Sequence, residues 1–317
     1  MIDSIAIVGA GYMGGGIAQV FALAGKNVVL SDVSADAAAA NRERLIDEAA
    51  QFAAQGLFPA DAPATMAARL TAARSIEDAV ADVDLVIEAV FERIDVKHEI
   101  LARISQASRP EAIIGSNTST ISINRLAEAV TAPERFLGVH FSNPAPFIPG
   151  VELIPHHTTA DAVVTQVADL LAASGKVSAR ITDATGFVLN RLQYALFHEA
   201  TALVDEGVAS VEAIDAIVRT TFGFRLPFFG PFAIADMAGL DVYSFCYTSL
   251  QETFPERFAT PAILANLVAD GALGVKSGRG FLNAPPESLA EIISYRNRAY
   301  VAMARLLEEL GPAPVTY

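Results

Sequence analysis

Two residues twelve positions apart, His140 and Glu152, are the pair in this sequence best suited to moving a proton. His140 lies near the end of an apolar run, Leu137–Phe141, just before Ser142-Asn143-Pro144. Glu152 sits on the next apolar run, Val151–Ile154. Imidazole titrates near neutral pH and can take a hydroxyl proton and give it back. A carboxylate behind the ring fixes the tautomer and stabilises the imidazolium that forms. Such a pair suits alcohol oxidation, where a base takes the O–H proton as hydride leaves the carbon. A histidine alone on an apolar strand is commonly a satisfied structural residue, so the reading depends on what lies upstream.

Upstream is a place for a hydride acceptor. Gly9-Ala10-Gly11-Tyr12-Met13-Gly14 has the pattern G-x-G-x-x-G, with a strand (Ile5–Val8) running in and a helix (Ile17–Ala24) running out. Gly9 permits the tight turn, Gly11 lets the backbone approach a pyrophosphate, and Gly14 lets the helix pack closely on the strand. Tyr12 and Met13 share this loop and count with the glycines as cofactor-binding. The helix start offers free N–H groups to phosphate. Asp32 ends the second strand, 21 residues after Gly11, where a carboxylate accepts hydrogen bonds from the adenosine ribose. It would repel a 2′-phosphate, and no Arg follows in Ser31-Asp32-Val33-Ser34, so the expected cofactor is NAD rather than NADP.

These residues need a scaffold, and the apolar pattern supplies one. Short apolar runs recur at Ile5–Val8, Val28–Leu30, Leu85–Ala89, Ile113–Gly115, Leu137–Phe141 and Val151–Ile154, the early ones separated by long Ala-rich helical stretches. This predicts an α/β, Rossmann-type, doubly wound parallel sheet over residues 1–183. The Ala-rich block from Ala35 to Ala73 reads as helical, broken into a hairpin by Gly56, Pro59 and Pro63. Residues 184–317 read as an all-α domain for substrate and dimerisation. Helices are expected at Phe187–Val204, Val211–Thr220, Ile234–Thr253, Pro261–Ala269 and Pro286–Leu310. The first is apolar on most faces, which predicts burial in a core or an interface and suggests a homodimer.

Composition narrows the partners. The net charge is −14, from 22 Lys and Arg against 36 Asp and Glu, which argues against a nucleic acid. A single cysteine, Cys246, excludes an internal disulfide framework and a cysteine-cluster metal site. No apolar run reaches membrane-spanning length, and Met1-Ile2-Asp3-Ser4 lacks the features of a signal peptide, so a cytoplasmic enzyme is expected. His156-His157 would point to opposite faces of a strand, and no metal site is expected. His98 and His198 read as ordinary helix residues, and Asp236 and Asp241 as caps or turn formers around Gly239.

A longer ordered set of motifs resembles the L-3-hydroxyacyl-CoA dehydrogenase family over nearly the whole chain. It comprises Ser116-Asn117-Thr118-Ser119-Thr120-Ile121, Gly138-Val139-His140-Phe141-Ser142-Asn143-Pro144, Val151-Glu152 and Asp183-Ala184-Thr185-Gly186-Phe187-Val188-Leu189-Asn190-Arg191, then Gly230-Pro231-Phe232 and Gly274-Val275-Lys276-Ser277-Gly278-Arg279-Gly280-Phe281. The resemblance implies His140 as acid/base and Glu152 as its partner. It implies Ser119 and Asn190 as donors to substrate oxygens, with Asn143 on the substrate side. Glu92 and Lys97 match family positions near the nicotinamide end of the cofactor. Thr185 departs from the proline usual before Gly186.

Three features set this chain apart from the acyl-CoA members. Their hairpin after the second strand is lysine-rich and meets the CoA nucleotide, whereas Ala37 to Asp61 here contains no lysine. Pro149 stands where they usually carry lysine before the glutamate strand. The segment before Gly230 is about two residues longer and carries Arg225, in Phe222-Gly223-Phe224-Arg225-Leu226-Pro227-Phe228-Phe229. All three resemble the CoA-independent branch of the family, which holds gulonate 3-dehydrogenase and lambda-crystallin, carnitine 3-dehydrogenase and a pyridine-carboxylate dehydrogenase. The favoured expectation is oxidation of a small 3-hydroxy acid or similar carboxylate, with Arg225 clamping the carboxylate as a bidentate fork. The alternatives are a short-chain (S)-3-hydroxyacyl-CoA (3-hydroxybutyryl-CoA) dehydrogenase and a non-catalytic NAD-binding structural protein.

Overall fold

The computed structural model describes residues 2–315. By internal packing the chain divides into two units, Met1–Leu196 and Phe197–Tyr317. The sequence pattern changes earlier, near residue 183. Residues just beyond that point stay with the first unit because Val188, Leu189 and Asn190 bond into it.

The first unit is built on β1 (Ser4–Val8), α1 (Tyr12–Leu23), β2 (Asn27–Ser31), α2 (Ala35–Ala54), α3 (Ala62–Arg69), β3 (Leu70–Ala72), α4 (Ile76–Val80), β4 (Leu85–Glu88), α5 (Ile94–Ala107), β5 (Ile113–Ser116), α6 (Ile123–Leu126), β6 (Phe136–Phe141), β7 (Gly150–Pro155), α7 (Asp161–Ala173) and β8 (Val177–Arg180). The sheet order is β3-β2-β1-β4-β5-β6-β7-β8. Successive side chains on a strand face opposite ways. Ile5 and Ile7 therefore enter one buried cluster with Ile17 and Phe21 of α1, while Ala6 and Val8 enter the other with Leu101 and Ile104 of α5. A sheet covered on both faces explains why its strands read as unbroken apolar runs.

Three expectations about this unit are corrected. The sheet has eight strands rather than six. β3 and β8 are short and only partly apolar, and β3 lies inside the Ala-rich block read as helical up to Ala73. The sheet is not wholly parallel, because β7 runs antiparallel to β6, with His140 directly opposite Glu152. A return through residues 142–149 has no helix in it, so it cannot make the crossover that a parallel pair needs.

Asp84 ties the sheet's N-terminal edge together. It accepts the N–H groups of Asp3 and Ser4 and the Ser4 hydroxyl, and it pairs with Arg109. Partial burial alone would raise its pKa, but those hydrogen bonds outweigh it and hold the carboxyl at about 2, against an ordinary 3.8. The unfolded chain therefore takes up this proton first as pH falls. Asp84 should support stability fully above about pH 4 and lose that support as pH falls toward 2. Denaturant midpoints measured across this window should fall less steeply in Asp84→Asn than in the wild-type chain, and parallel curves would reject the assignment.

The second unit is helical, with α8 (Leu189–Asp205) leading into α9 (Val211–Thr220), α10 (Phe222–Arg225), α11 (Pro231–Ala238), α12 (Leu240–Thr253), α13 (Ala262–Ala269) and α14 (Leu289–Leu310). The single helix expected at Ile234–Thr253 is broken at Gly239, whose φ of 104° no helix accommodates. Asp236 is not a cap. It is buried and accepts the N–H groups of Phe281 and Leu282, holding the turn after Gly280. Asp241 pairs with Lys276. Of the two expectations for α8, a core or an interface, burial in the chain's own core is not met, since none of its residues is buried within the chain; Leu192, Tyr194 and Phe197 are 59%, 61% and 62% exposed. Among the described residues no helix is long and apolar enough to cross a membrane.

Candidate active site

The loop between β1 and α1 is shaped by two glycines that no other residue could replace. Gly9 has φ 93°, and a Cβ there would lie 2.7 Å from the Ala89 carbonyl oxygen. A Cβ on Gly14 would lie 1.8 Å from the Gly9 carbonyl oxygen. Gly11, at the N-cap of α1, leaves space around its Cα. Tyr12 is largely exposed at the helix start, and Met13 packs partly against the core.

Asp32 grips this loop from the end of β2. Its carboxylate accepts the N–H groups of Ala10 (3.0 Å) and Val33 (2.7 Å) and the Asn41 amide (3.1 Å). The same Ala10 peptide is held from its other side, where Arg44 of α2 donates to the Ala10 carbonyl at 3.1 Å. Gly9, Gly11, Tyr12, Met13, Asp32 and Val33 line one groove of about 720 Å³, together with Arg74, Ile76, Val90, Phe91 and Ile100. A glycine cradle at a helix N-terminus, a carboxylate at the second strand's end and an apolar groove alongside fit a dinucleotide.

Around His140 the structure assembles residues from four segments. His140 is 4% exposed, its Nδ1 is 2.7 Å from Glu152 Oε2, and its Nε2 is 3.2 Å from the Ser119 hydroxyl. With Nδ1–H donating to the carboxylate, Nε2 is left as an acceptor facing the Ser119 hydroxyl. Glu152 has a second task, since its Oε1 accepts the N–H groups of Val188 and Leu189 at the start of α8. Asn190, one residue further, donates to the Ser119 carbonyl at 2.8 Å. Phe187 packs its ring 5.5 Å from the imidazole and adopts φ 51°, a left-handed backbone that is strained for an aromatic residue.

The serine loop is fixed from below by Glu92 and Lys97. Glu92 Oε1 accepts the Thr118 hydroxyl (2.6 Å) and the N–H groups of Ser119 and Thr120 (both 2.9 Å). Its half-burial would raise its pKa, but the Thr118 hydroxyl, the Lys97 charge and those N–H groups hold it below the usual range. Lys97 is 1% exposed and bonds Glu88 at 2.7 Å, with Glu92 Oε2 at 3.4 Å. Glu88 is itself 0% exposed and also accepts from Ser116 and the Val90 N–H. So enclosed, the Lys97 ammonium acts on this site through Glu92, Glu88 and the Val90 carbonyl that it holds.

Three residues of this environment were not anticipated from the sequence. Asn117 Oδ1 accepts the Phe141 N–H, tying the serine loop to the histidine strand. Lys176 is buried and donates to the carbonyls of Ala145, Pro146 and Ile148, fixing the segment that follows Asn143. Burial pushes its pKa down. Its signal in the sequence was scarcity, because only four lysines occur in the chain. The third is Arg44. Asn143 is exposed and precedes Pro144 through a cis peptide. Arg225 ends α10 in the second unit and has no ion-pair partner among the described residues. His156 and His157 do not lie on opposite strand faces as expected. β7 ends at Pro155, and beyond it the two rings turn to within 3.9 Å of each other.

A doubly wound domain with a glycine loop, a carboxylate at the end of the second strand and a buried histidine–glutamate pair fits an NAD-dependent dehydrogenase. Comparison with known proteins makes this more specific. The model of the 3-hydroxyacyl-CoA dehydrogenase NAD binding domain matches residues 4–184, and that of the 3-hydroxyacyl-CoA dehydrogenase C-terminal domain matches residues 186–284. The chain belongs to the 3-hydroxyacyl-CoA dehydrogenase family and is an NAD-dependent oxidoreductase of hydroxyl groups. It is 39% identical over 282 residues to a 3-hydroxybutyryl-CoA dehydrogenase of Bradyrhizobium diazoefficiens, covering 89% of this chain and 95% of that one. It is 35% identical over 309 residues to the 5-formyl-3-hydroxy-2-methylpyridine 4-carboxylate 5-dehydrogenase of Mesorhizobium japonicum, covering 97% and 99%. Among solved structures, a 3-hydroxyacyl-CoA dehydrogenase of Archaeoglobus fulgidus aligns with a TM-score of 0.77 at 31% identity, covering 98% and 99%.

Proposed function

We propose that this chain oxidises the hydroxyl of a small free hydroxy acid, of the 3-hydroxy acid type or similar, with NAD. The glycine loop and Asp32 would hold the cofactor, which accepts the hydride when bound. His140 Nε2 takes the hydroxyl proton, and Glu152 stabilises the resulting imidazolium. Ser119 and Asn190 orient the substrate oxygen, with Asn143 beside them. Glu92 and Lys97 keep the Thr118–Thr120 segment in place at the nicotinamide end. Arg225 takes the substrate carboxylate as a fork.

The observation that carries the substrate assignment is the state of the α2–α3 hairpin. Its three arginines, Arg42, Arg44 and Arg69, are already occupied, Arg69 donating to the Asn27 side-chain oxygen at 2.9 Å. Arg42 donates to the carbonyls of Leu70 (2.7 Å) and Ala67 (2.9 Å) and pairs with Glu43. Arg44 holds Asn41, Glu48 and the Ala10 carbonyl. The hairpin's inner side is taken up by Phe52 and Phe58, packed on each other at 5.1 Å and on Phe147 at 5.4 and 5.7 Å. A surface of satisfied arginines and packed phenylalanines offers little to the phosphates of CoA. The Mesorhizobium relative, named for a pyridine carboxylate, supports the same reading. The Bradyrhizobium relative favours the second reading, a 3-hydroxybutyryl-CoA dehydrogenase.

Formation of reduced cofactor, followed by absorbance, separates the two. The panel is 3-hydroxybutyrate, gulonate, carnitine and a hydroxymethylpyridine carboxylate against 3-hydroxybutyryl-CoA. Faster turnover of the thioester than of every free acid would reject the proposal. Arg225→Ala should raise KM for the best free acid about tenfold to hundredfold, since a hydrogen bond to a charged group contributes about 1.5–3 kcal/mol. An unchanged KM and kcat would remove the clamp. We further propose that the enzyme works in the cytoplasm as a homodimer that covers the exposed apolar side chains of α8. A monomeric mass in sedimentation would contradict the dimer.

A further inference from the structure

The chemistry described so far makes no use of α14, which begins after residue 284, where the matched C-terminal domain ends. Yet the alignment with the Mesorhizobium carboxylate dehydrogenase leaves only 3% of this chain outside, too little to omit a helix of 22 residues. Within the second unit, α14 places its aromatic side chains against one segment. The Tyr300 ring lies 5.7 Å from Phe224, 6.2 Å from Phe228 and 6.5 Å from Phe229. Tyr295 adds an edge-on contact with Phe229 at 5.7 Å. These three phenylalanines bracket Arg225 in sequence. The backbone joins them more directly, because the N–H groups of Phe228 and Phe229 both donate to the Arg225 carbonyl at 3.1 Å. The contacts that fix the phenylalanine rings therefore fix the backbone from which the arginine side chain springs.

We propose that α14 is a specificity element of this enzyme and that Tyr300 is the positioning residue through which it holds Arg225 for the substrate carboxylate. This rests on the reading of Arg225 as the carboxylate clamp. An arginine side chain loses much rotamer freedom on binding, so a clamp gains when its backbone is already immobile. A substrate gripped elsewhere would have no use for this buttress. The packing calls for the tyrosine ring rather than its hydroxyl, since edge and tilted ring contacts are what the structure shows.

The test uses the full-length enzyme with whichever free acid of the panel the wild type turns over best. Tyr300→Ala should raise KM for that acid about tenfold, as the loss of a held geometry implies, with kcat and the Kd for NAD near wild type. Tyr300→Phe should restore the wild-type KM. Adding Tyr300→Ala to Arg225→Ala should worsen KM no further, because both act on one contact. If alanine unfolds the helix, Tyr300→Leu fills similar space without a ring face and is judged by the same KM criterion. A lowered Tm with unchanged KM, in a protein whose Arg225→Ala variant does raise KM, overturns the role of α14 and leaves the clamp standing. An Arg225→Ala variant with unchanged KM, or a wild-type enzyme that turns over no free acid, overturns both.

Discussion

Replacing His140 with alanine should lower kcat by about 10²–10⁴-fold, the usual contribution of a placed general base, while the Kd for NAD stays close to wild type. The two effects separate because the residues serve different ends of the site. The cofactor loop is held by Asp32 and Arg44 at the C-terminal ends of β1 and β2. The imidazole is held by Glu152 and Ser119 at the end of β6. Alanine removes the base and leaves the Glu152 carboxylate still bonded to the N–H groups of Val188 and Leu189, so the local backbone should survive. Initial rates with saturating NAD and calorimetric titration of NAD check the two halves. Turnover near the wild-type rate would remove His140 from the mechanism.

The second large effect is on stability. Lys97→Met should destabilise the fold by about 3–5 kcal/mol, because it leaves a buried carboxylate without its counter-charge. Lys97 and Glu88 are 1% and 0% exposed and 2.7 Å apart, so neither can turn to solvent. Methionine fills the stem but offers Glu88 no charge and no donor. Adding Glu88→Gln should recover much of the loss by removing the stranded charge. Urea midpoints of the single and double variants read this directly. A Lys97→Met protein as stable as the wild type would reject this account of the pair.

Much of the site was legible because it depends on residue type and short spacing. A glycine turn between a strand and a helix, an aspartate at the next strand's end, and a histidine just before Ser142-Asn143-Pro144 each carry their reason locally. What escaped is long-range. Nothing near Glu92 in the chain says that its carboxylate gathers Thr118, Ser119 and Thr120, more than twenty residues away. Nothing local marks Arg44 for this loop, and only the fold shows it grasping the Ala10 carbonyl. The direction of β7 was misread because apolar runs look alike whichever way they run. The apolar character of α8 was legible, but which of a core or an interface it serves was not, since periodicity reports what a helix could cover and not what covers it. Phe187 gave no sign of its positive φ, which the fold imposes beside Gly186.

The antiparallel pairing of β6 with β7 has a consequence for how such an enzyme can change. His140 and Glu152 face each other as cross-strand neighbours, so their separation is set by the ladder and not by the segment between them. Residues could be inserted into or lost from the stretch between Phe141 and Gly150 without moving either group, so long as the register of the two strands holds. The histidine–glutamate pair is thereby insulated from the connection that follows Asn143. That connection is free to lengthen, shorten or change its chemistry as new substrates are tried, and the pairing of His140 with Glu152 is carried along unchanged.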